Sequence, residues 1–434
     1  MKCAVVNVEG VNKGLLEKEI QKGTLPWWGA SVKENPLLNM NCGPVPYEPS
    51  NLATVFTGMN PGKHGCYSYW STEINGAPPR VLTSADLKQP FCWKWPELYG
   101  QRFVVANVQL TFPPEPLNGK LLSYLMNHSL NYTYPKEVKY ELQKKGLRYA
   151  HDVSAFYQGE PLDTFAKEIK RVAKFQFDAI YSLSQDCDVL IANLTIADRL
   201  SHFLWSEIES YDDHNHVPHI LEGYKFLDVC LAKLSELLEK DGTMIVFTEI
   251  GFGPIEAFAS INHYLRKGGF LRINDNGGHD FTQSTACESV QGTHGINILL
   301  PGQKTGAGSA YHTRVDEVSH FLKGLTFDDG MPVVADVFHR EEIYHGPWAQ
   351  LAPDLIITPG DLRRPPLGDE FWAKHVNRHY QTGWHRNEGF CQVLGKTLSI
   401  SPETTVPMTS IAPTIAKALG RDWPKACESG PIIC

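Results

Sequence analysis

The chain has 434 residues, enough for one large α/β domain with an insertion or for two domains. Charged residues are 20% of it and the net charge is −8, which argues against partners such as nucleic acid or an acidic membrane surface. No run of eighteen apolar residues occurs, so no membrane span is expected, and ten scattered cysteines without a C-x-x-C pair read as free thiols in a reducing cytoplasm.

In chain order, Met1–Val6 enters a strand at once, which leaves no room for a signal peptide. Ala4–Val8 is a short apolar strand of the kind buried inside a parallel sheet, and it ends at Glu9-Gly10. The C-terminal edge of such a sheet is where ligands bind. A helix over 13–22 and a Leu25-Pro26 turn follow. Tyr47-Glu48-Pro49-Ser50 opens a Pro-broken loop, Leu52, Ala53, Val55 and Phe56 form a short apolar helix, and Gly58 to Gly65 is a Gly/Pro turn. Arg102–Val108 is a strand that runs into Pro113, Pro114 and Pro116, a rigid loop closed by Asn118-Gly119.

Apolar residues at Phe165, Ile169 and Val172 recur at helical spacing over 162–184, and Asp188–Thr195 is the next strand. It leads into Ala197–Trp205. If that segment is helical, Asp198 and His202 are four apart on one face, close enough to share a metal. The cluster Asp212-Asp213-His214-Asn215-His216 reads as a polar loop before a helix over 219–240. Strand Thr243–Phe247 opens into Thr248-Glu249-Ile250-Gly251-Phe252-Gly253-Pro254. Residues 255–375 show strands, Gly-rich turns and little periodic helix, as an inserted cap would. Gly383-Trp384-His385-Arg386 and the closing helix from Thr409 complete the chain, with His375 and His379 read as structural.

The Tyr47–Gly65 stretch resembles the nucleophile segment of type I phosphodiesterases and nucleotide pyrophosphatases, of the alkaline phosphatase superfamily. The strand ending in Glu9-Gly10, the proline loop, Asp198-x-x-x-His202, Gly251-Phe252-Gly253-Pro254 and the His385 segment extend that resemblance over the whole chain. It implies an α/β fold: an alkaline phosphatase-like three-layer sandwich with a mainly parallel central sheet. The core would comprise 1–254 and 376–434, with 255–375 as a smaller inserted cap. It also implies two metal ions, one held by Asp198, His202 and His385, all of which match. The other would be held by Asp, the nucleophile, Asp and His, and those positions read Glu9, Glu48, Glu249 and Ile250.

Three of these four departures run to glutamate, which reads as a remodelled site rather than a decayed one. Glu9, Glu48, Asp198 and Glu249 supply four negative charges, so two divalent ions can still be neutralised. What is lost is the covalent step, because a glutamate where an alkoxide should attack repels a phosphate anion. Ligation by oxygen alone at the second position suits iron, manganese or magnesium better than zinc. On that ground the first expectation is a cytoplasmic iron- or manganese-dependent oxidase or oxygenase acting on a small metabolite. The aromatic run Cys66-Tyr67-Ser68-Tyr69-Trp70 favours an apolar or aromatic substrate, with neither nucleic acid nor membrane as a partner. The first alternative is a hydrolase, with zinc, in which Glu48 is a general base or metal-bound water attacks a phosphodiester, phosphonate or sulfate ester. A displaced nucleophile at Ser50 belongs to that alternative, and a metal-binding protein without catalysis is the third reading.

Overall fold

A computed structural model describes residues 1–72, 78–126, 128–152, 157–212, 217–300, 308–369 and 378–434. These residues divide into two compact units, one of Met1–Met59, Thr83–Pro254 and Tyr380–Cys434, the other of Asn60–Leu82 and Ile255–His379.

The first unit is built on β1 (Cys3–Val8), β2 (Leu38–Asn41), β3 (Phe103–Ala106), β4 (Gly119–Leu122), β5 (Thr133–Tyr134), β6 (Val189–Leu194), β7 (Thr243–Thr248), β14 (Glu388–Leu394) and β15 (Val406–Pro407). They form one sheet in the order β15-β2-β14-β7-β1-β6-β3-β4-β5. Only β14 and β5 run against the rest, so the sheet is mainly parallel as expected. The run of apolar residues in β1 follows from burial on both faces. Ala4, Val6 and Val8 turn toward Leu16, Trp28 and the helices Leu162–Ser184, Ile196–Glu209 and His219–Ser235. On the other face the Phe247 ring of β7 meets Phe56 of the helix Glu48–Thr57, centroids 6.1 Å apart. Helices thus cover both sides of the sheet, the three-layer arrangement. A ribbon of β8 (Gly251–Pro254) and β13 (Gly383–Arg386) lies outside that sheet.

The helix expected over 219–240 ends at Ser235. Beyond it the Leu237 carbonyl accepts from the N-terminal ammonium and the Glu239 N–H donates to the Met1 carbonyl, so the backbone groups of this turn are used outside the helix.

In the second unit β9 (Ala286–Glu288), β10 (Gly295–Ile298), β11 (Val334–His339) and β12 (Leu355–Pro359) make an antiparallel sheet in the order β11-β12-β10-β9. The segment also contains a fifteen-residue helix, Ser309–Lys323, where little helix was expected. Its stripe is only Tyr311, Val315, Val318 and Leu322, diluted among polar residues, but that suffices to bury one face against Ile296, Val334 and Leu355. The Cys66–Trp70 run is used for packing inside this unit. Tyr67 donates its hydroxyl to the Trp348 carbonyl and meets Tyr344 edge-on, centroids 5.0 Å apart. Asp213 to His216, and His375, lie outside the described residues. Among the described residues no helix is long and apolar enough to cross a membrane.

Candidate metal centre

Three adjacent strands of the sheet, β7, β1 and β6, deliver acids at their C-terminal ends. Glu9 directly follows β1, Glu249 directly follows β7, and Asp198 stands in the first turn of the helix after β6. The Glu9 N–H donates to the Leu194 carbonyl at 3.1 Å and the Asp198 N–H to the Glu9 carbonyl at 3.0 Å, which locks the two loops together. Gly10 between them has φ +79°, and a Cβ there would lie 2.7 Å from the Asp198 Cα. Only glycine fits that approach. Glu48 enters from the first turn of its own helix, which Pro49 suits and which Gly58 ends in the left-handed conformation at φ +68°. Asn51, one turn along, donates to the Glu249 carbonyl at 2.9 Å and ties this helix to the end of β7.

Two overlapping donor sets result. Asp198, His202 and His385 each place a ligand atom within 4.8 Å of the others, and so do Glu9, Glu48 and Asp198, all five residues buried. Asp198 Oδ1 lies 3.5 Å from His202 Nε2 and 3.3 Å from His385 Nε2. His385 is oriented by its other nitrogen: Nδ1 faces the Pro46 carbonyl at 3.1 Å, so the N–H belongs there and the Nε2 lone pair faces the carboxylates. Trp384 stacks on the same ring at 4.6 Å and 11°. Glu249 is buried beside these groups but falls in neither set. Ile250, where the resemblance would have a histidine, is fully buried and apolar.

Several polar groups that the sequence did not single out complete the shell. Glu9 Oε2 accepts from the amides of Gln109 at 3.0 Å and Asn193 at 2.6 Å, and Asn7 in turn donates to Asn193 at 2.9 Å. Asn107 and Leu110, either side of Gln109, hold left-handed backbone at φ +61° and +60°, so the loop that aims Gln109 is a strained one. Arg199 lies behind Asp198: its guanidinium is 3.3 Å from Asp198 Oδ2, 3.1 Å from the Tyr124 hydroxyl and 3.6 Å from Asp152 Oδ2. One oxygen of Asp198 is thereby turned to the arginine and the other to the histidines.

The charge states follow from burial and crowding. Burial, reinforced by Asp198, Glu249 and Glu48, pushes the Glu9 carboxyl well above the usual range. Burial raises Glu48 too, against the pull of His385. Burial, with Glu48 and Asp198, carries Glu249 up to about 8 against its own backbone N–H and the Asn7 amide. Asp198 is the exception: burial works against its charge, yet His202, Arg199 and His385 hold it below the usual range. His385 is raised, Glu48 and Asp198 outweighing burial.

The residues fit a divalent cation. Glu9 Oε1, Glu48 Oε2 and His385 Nε2, all in residues of the two donor sets, are buried and have no hydrogen-bond partner. Buried polar atoms are ordinarily satisfied, and a group of them turned to a common point is the arrangement of metal ligands. Ser50, by contrast, sits within the helix beyond Glu48 and belongs to neither donor set.

A family model described as type I phosphodiesterase / nucleotide pyrophosphatase matches residues 4–382. No curated protein sequence matches the chain. Among solved structures, phosphonoacetate hydrolase from Sinorhizobium meliloti 1021, in complex with phosphonoformate, is similar at TM-score 0.61 and 15% identity, covering 94% of this chain and 93% of that one. Human ectonucleotide pyrophosphatase / phosphodiesterase 5 is similar at TM-score 0.57 and 12% identity, covering 99% and 97%. The alkaline phosphatase PafA is similar at TM-score 0.59 and 12% identity, covering 99% and 98%. At these identities the likeness to solved structures establishes the fold: alkaline phosphatase-like.

Proposed function

The chain belongs to the type I phosphodiesterase / nucleotide pyrophosphatase family, and from that premise we propose that it is a metal-dependent hydrolase of a phosphoester or phosphonate that works by direct attack of water. The observation that carries this reading is the buried Asp198, His202 and His385 set with Glu48 at its edge. Phosphodiesterases, a phosphonoacetate hydrolase and a phosphatase are what the family and the similar structures are named for. An oxidase or oxygenase finds no support among them, and a two-histidine, one-carboxylate donor set serves zinc in hydrolases as well as iron. The hydrolytic reading therefore replaces the redox one.

Asp198, His202 and His385 would hold a divalent metal, which when bound would polarise a phosphoryl oxygen and make a nearby water more acidic. The protein's own groups do the rest. The family resemblance assigns Glu48 to the place of the attacking hydroxyl, and a carboxylate there cannot serve as an alkoxide. A carboxylate at that place can instead accept a proton, and burial raises its affinity for one. Glu48 takes a proton from water as the new O–P bond forms, and the bond from phosphorus to the leaving group breaks with its electron pair. The proton on Glu48 then passes to that leaving group. The backbone lock between Glu9 and Asp198 and the Pro46 bond to His385 hold the ligands in place throughout.

The test is hydrolysis by zinc-, manganese- and magnesium-loaded protein of an aryl phosphodiester, an aryl phosphate monoester, phosphonoacetate and an aryl sulfate. At least one phosphorus substrate is expected to be cleaved, with activity abolished by chelation. Failure to cleave any of them in every metal-loaded form would overturn the reading.

A further inference from the structure

The two donor sets differ in kind. Asp198, His202 and His385 offer two imidazoles and one carboxylate, whereas Glu9, Glu48 and Asp198 offer oxygen alone. Among the described residues neither histidine nor cysteine joins the second set. Its acids are real ligand candidates and not merely an acidic cluster, since Glu9 Oε1 and Glu48 Oε2 are buried without a hydrogen-bond partner. Glu9 shows the division most clearly. Two amides satisfy its Oε2, so the atom left over is Oε1. Ile250 beside the set is apolar and Glu249 brings only further oxygen, while the His385 Nδ1 that lies 3.9 Å from Glu48 Oε2 is engaged by the Pro46 carbonyl.

Ligand softness sorts metals. Imidazole suits zinc and its neighbours, while carboxylate oxygen suits magnesium and manganese. We propose that this is a mixed centre, with a zinc-like ion on Asp198, His202 and His385 and a hard divalent cation, Mg²⁺ or Mn²⁺, on Glu9 and Glu48, with Asp198 shared between them. The proposal rests on the reading of the site as a metal centre and adds the identity of its metals. Arg199, 3.3 Å from Asp198 Oδ2, holds that carboxylate from behind and leaves Oδ1 turned into the site.

The experiment counts metals and does not depend on turnover. Full-length protein is stripped with a chelator and equilibrated with manganese in large excess over buffered trace zinc. Metals are then counted by elemental analysis, and bound manganese is read by electron paramagnetic resonance. One zinc and one manganese per chain are expected. His202→Ala should lose zinc and keep manganese, and the isosteric Glu9→Gln should lose manganese and keep zinc. Two zinc ions, two manganese ions, a single ion of either kind, or loss of the same ion in both variants would each overturn the proposal. A one-to-one count in a protein that cleaves no ester leaves this inference standing and sinks the hydrolase reading. Two zinc ions in an active hydrolase do the reverse.

Discussion

Arg199 shows what a single residue adds to this site. A lone arginine after a candidate metal-ligating aspartate carries no spacing signal, and its role appears only when the guanidinium is found 3.3 Å from Asp198 Oδ2. Partners of this kind that orient a ligand affect metal affinity by about 10–100-fold. Arg199→Gln is therefore expected to weaken binding of the ion at Asp198, His202 and His385 by that factor, measured by chelator competition. Arg199→Lys, which keeps charge but not the planar fork, should fall between. Unchanged affinity in Arg199→Gln would show that Asp198 needs no such partner. Gln109, Asn193 and Asn7 were hidden for the same reason, since amides become visible as a network only once β1, β6 and the loop after β3 are side by side. Glu9 was legible at a strand end and Asp198 and His202 from their i, i+4 spacing, with the family pattern as a second guide, whereas His385 was picked out by the resemblance alone. For Glu48, Glu48→Gln keeps the shape but cannot accept a proton. A loss in kcat of about 10²–10⁴-fold with little change in KM is expected. A loss confined to KM would place Glu48 in binding alone.

At the scale of elements, the site depends on close backbone approach where β1 meets the helix that follows β6. Gly10→Ala puts a methyl 2.7 Å from the Asp198 Cα on a backbone at φ +79°, so the loop must open. A cost of about 1–3 kcal/mol is expected from the strain alone. It should be read as a lower thermal midpoint together with weaker metal binding. A Gly10→Ala protein that binds metal as tightly as the wild type would show that this contact does not set the ligand geometry. The same scale explains where sequence reading stopped. β1, β6 and β7 announce themselves as short apolar runs because both faces are buried. The helix Ser309–Lys323 did not, because four buried apolar residues in fifteen leave a weak period. Nor did sequence show that Asn60–Leu82 packs with the unit of 255–379, because membership of a unit depends on long-range contacts.

Across the whole molecule, the buried acids link metal binding to pH and stability. Glu249 is raised to about 8, and Glu9 and Glu48 are raised as well. A carboxyl raised in the folded state stabilises the fold fully below its unfolded pKa of about 4.3. That contribution is lost as pH rises through the folded value. Asp198, held low, has the opposite sign: its contribution is present above its unfolded pKa and lost as pH falls through the folded one. The thermal midpoint of chelated protein is therefore expected to fall between about pH 5 and pH 9, and added divalent ion should restore more of it at the upper end. Calorimetric metal titrations at pH 7 in buffers of different ionisation enthalpy should show net proton release. Release of none would mean that the raised acids are not the groups the ion meets.

In the proposed mechanism Glu48 makes this family member a direct hydrolase, with no phosphorylated protein on its path. It is tested by acid-quenching metal-loaded protein during turnover of a phosphorus ester and weighing the intact chain by mass spectrometry. The wild type is expected to release product with no added phosphoryl mass, while Glu48→Thr gains an adduct at position 48. An adduct on the wild-type chain formed during turnover, at Ser50 or at any other residue, would contradict the claim.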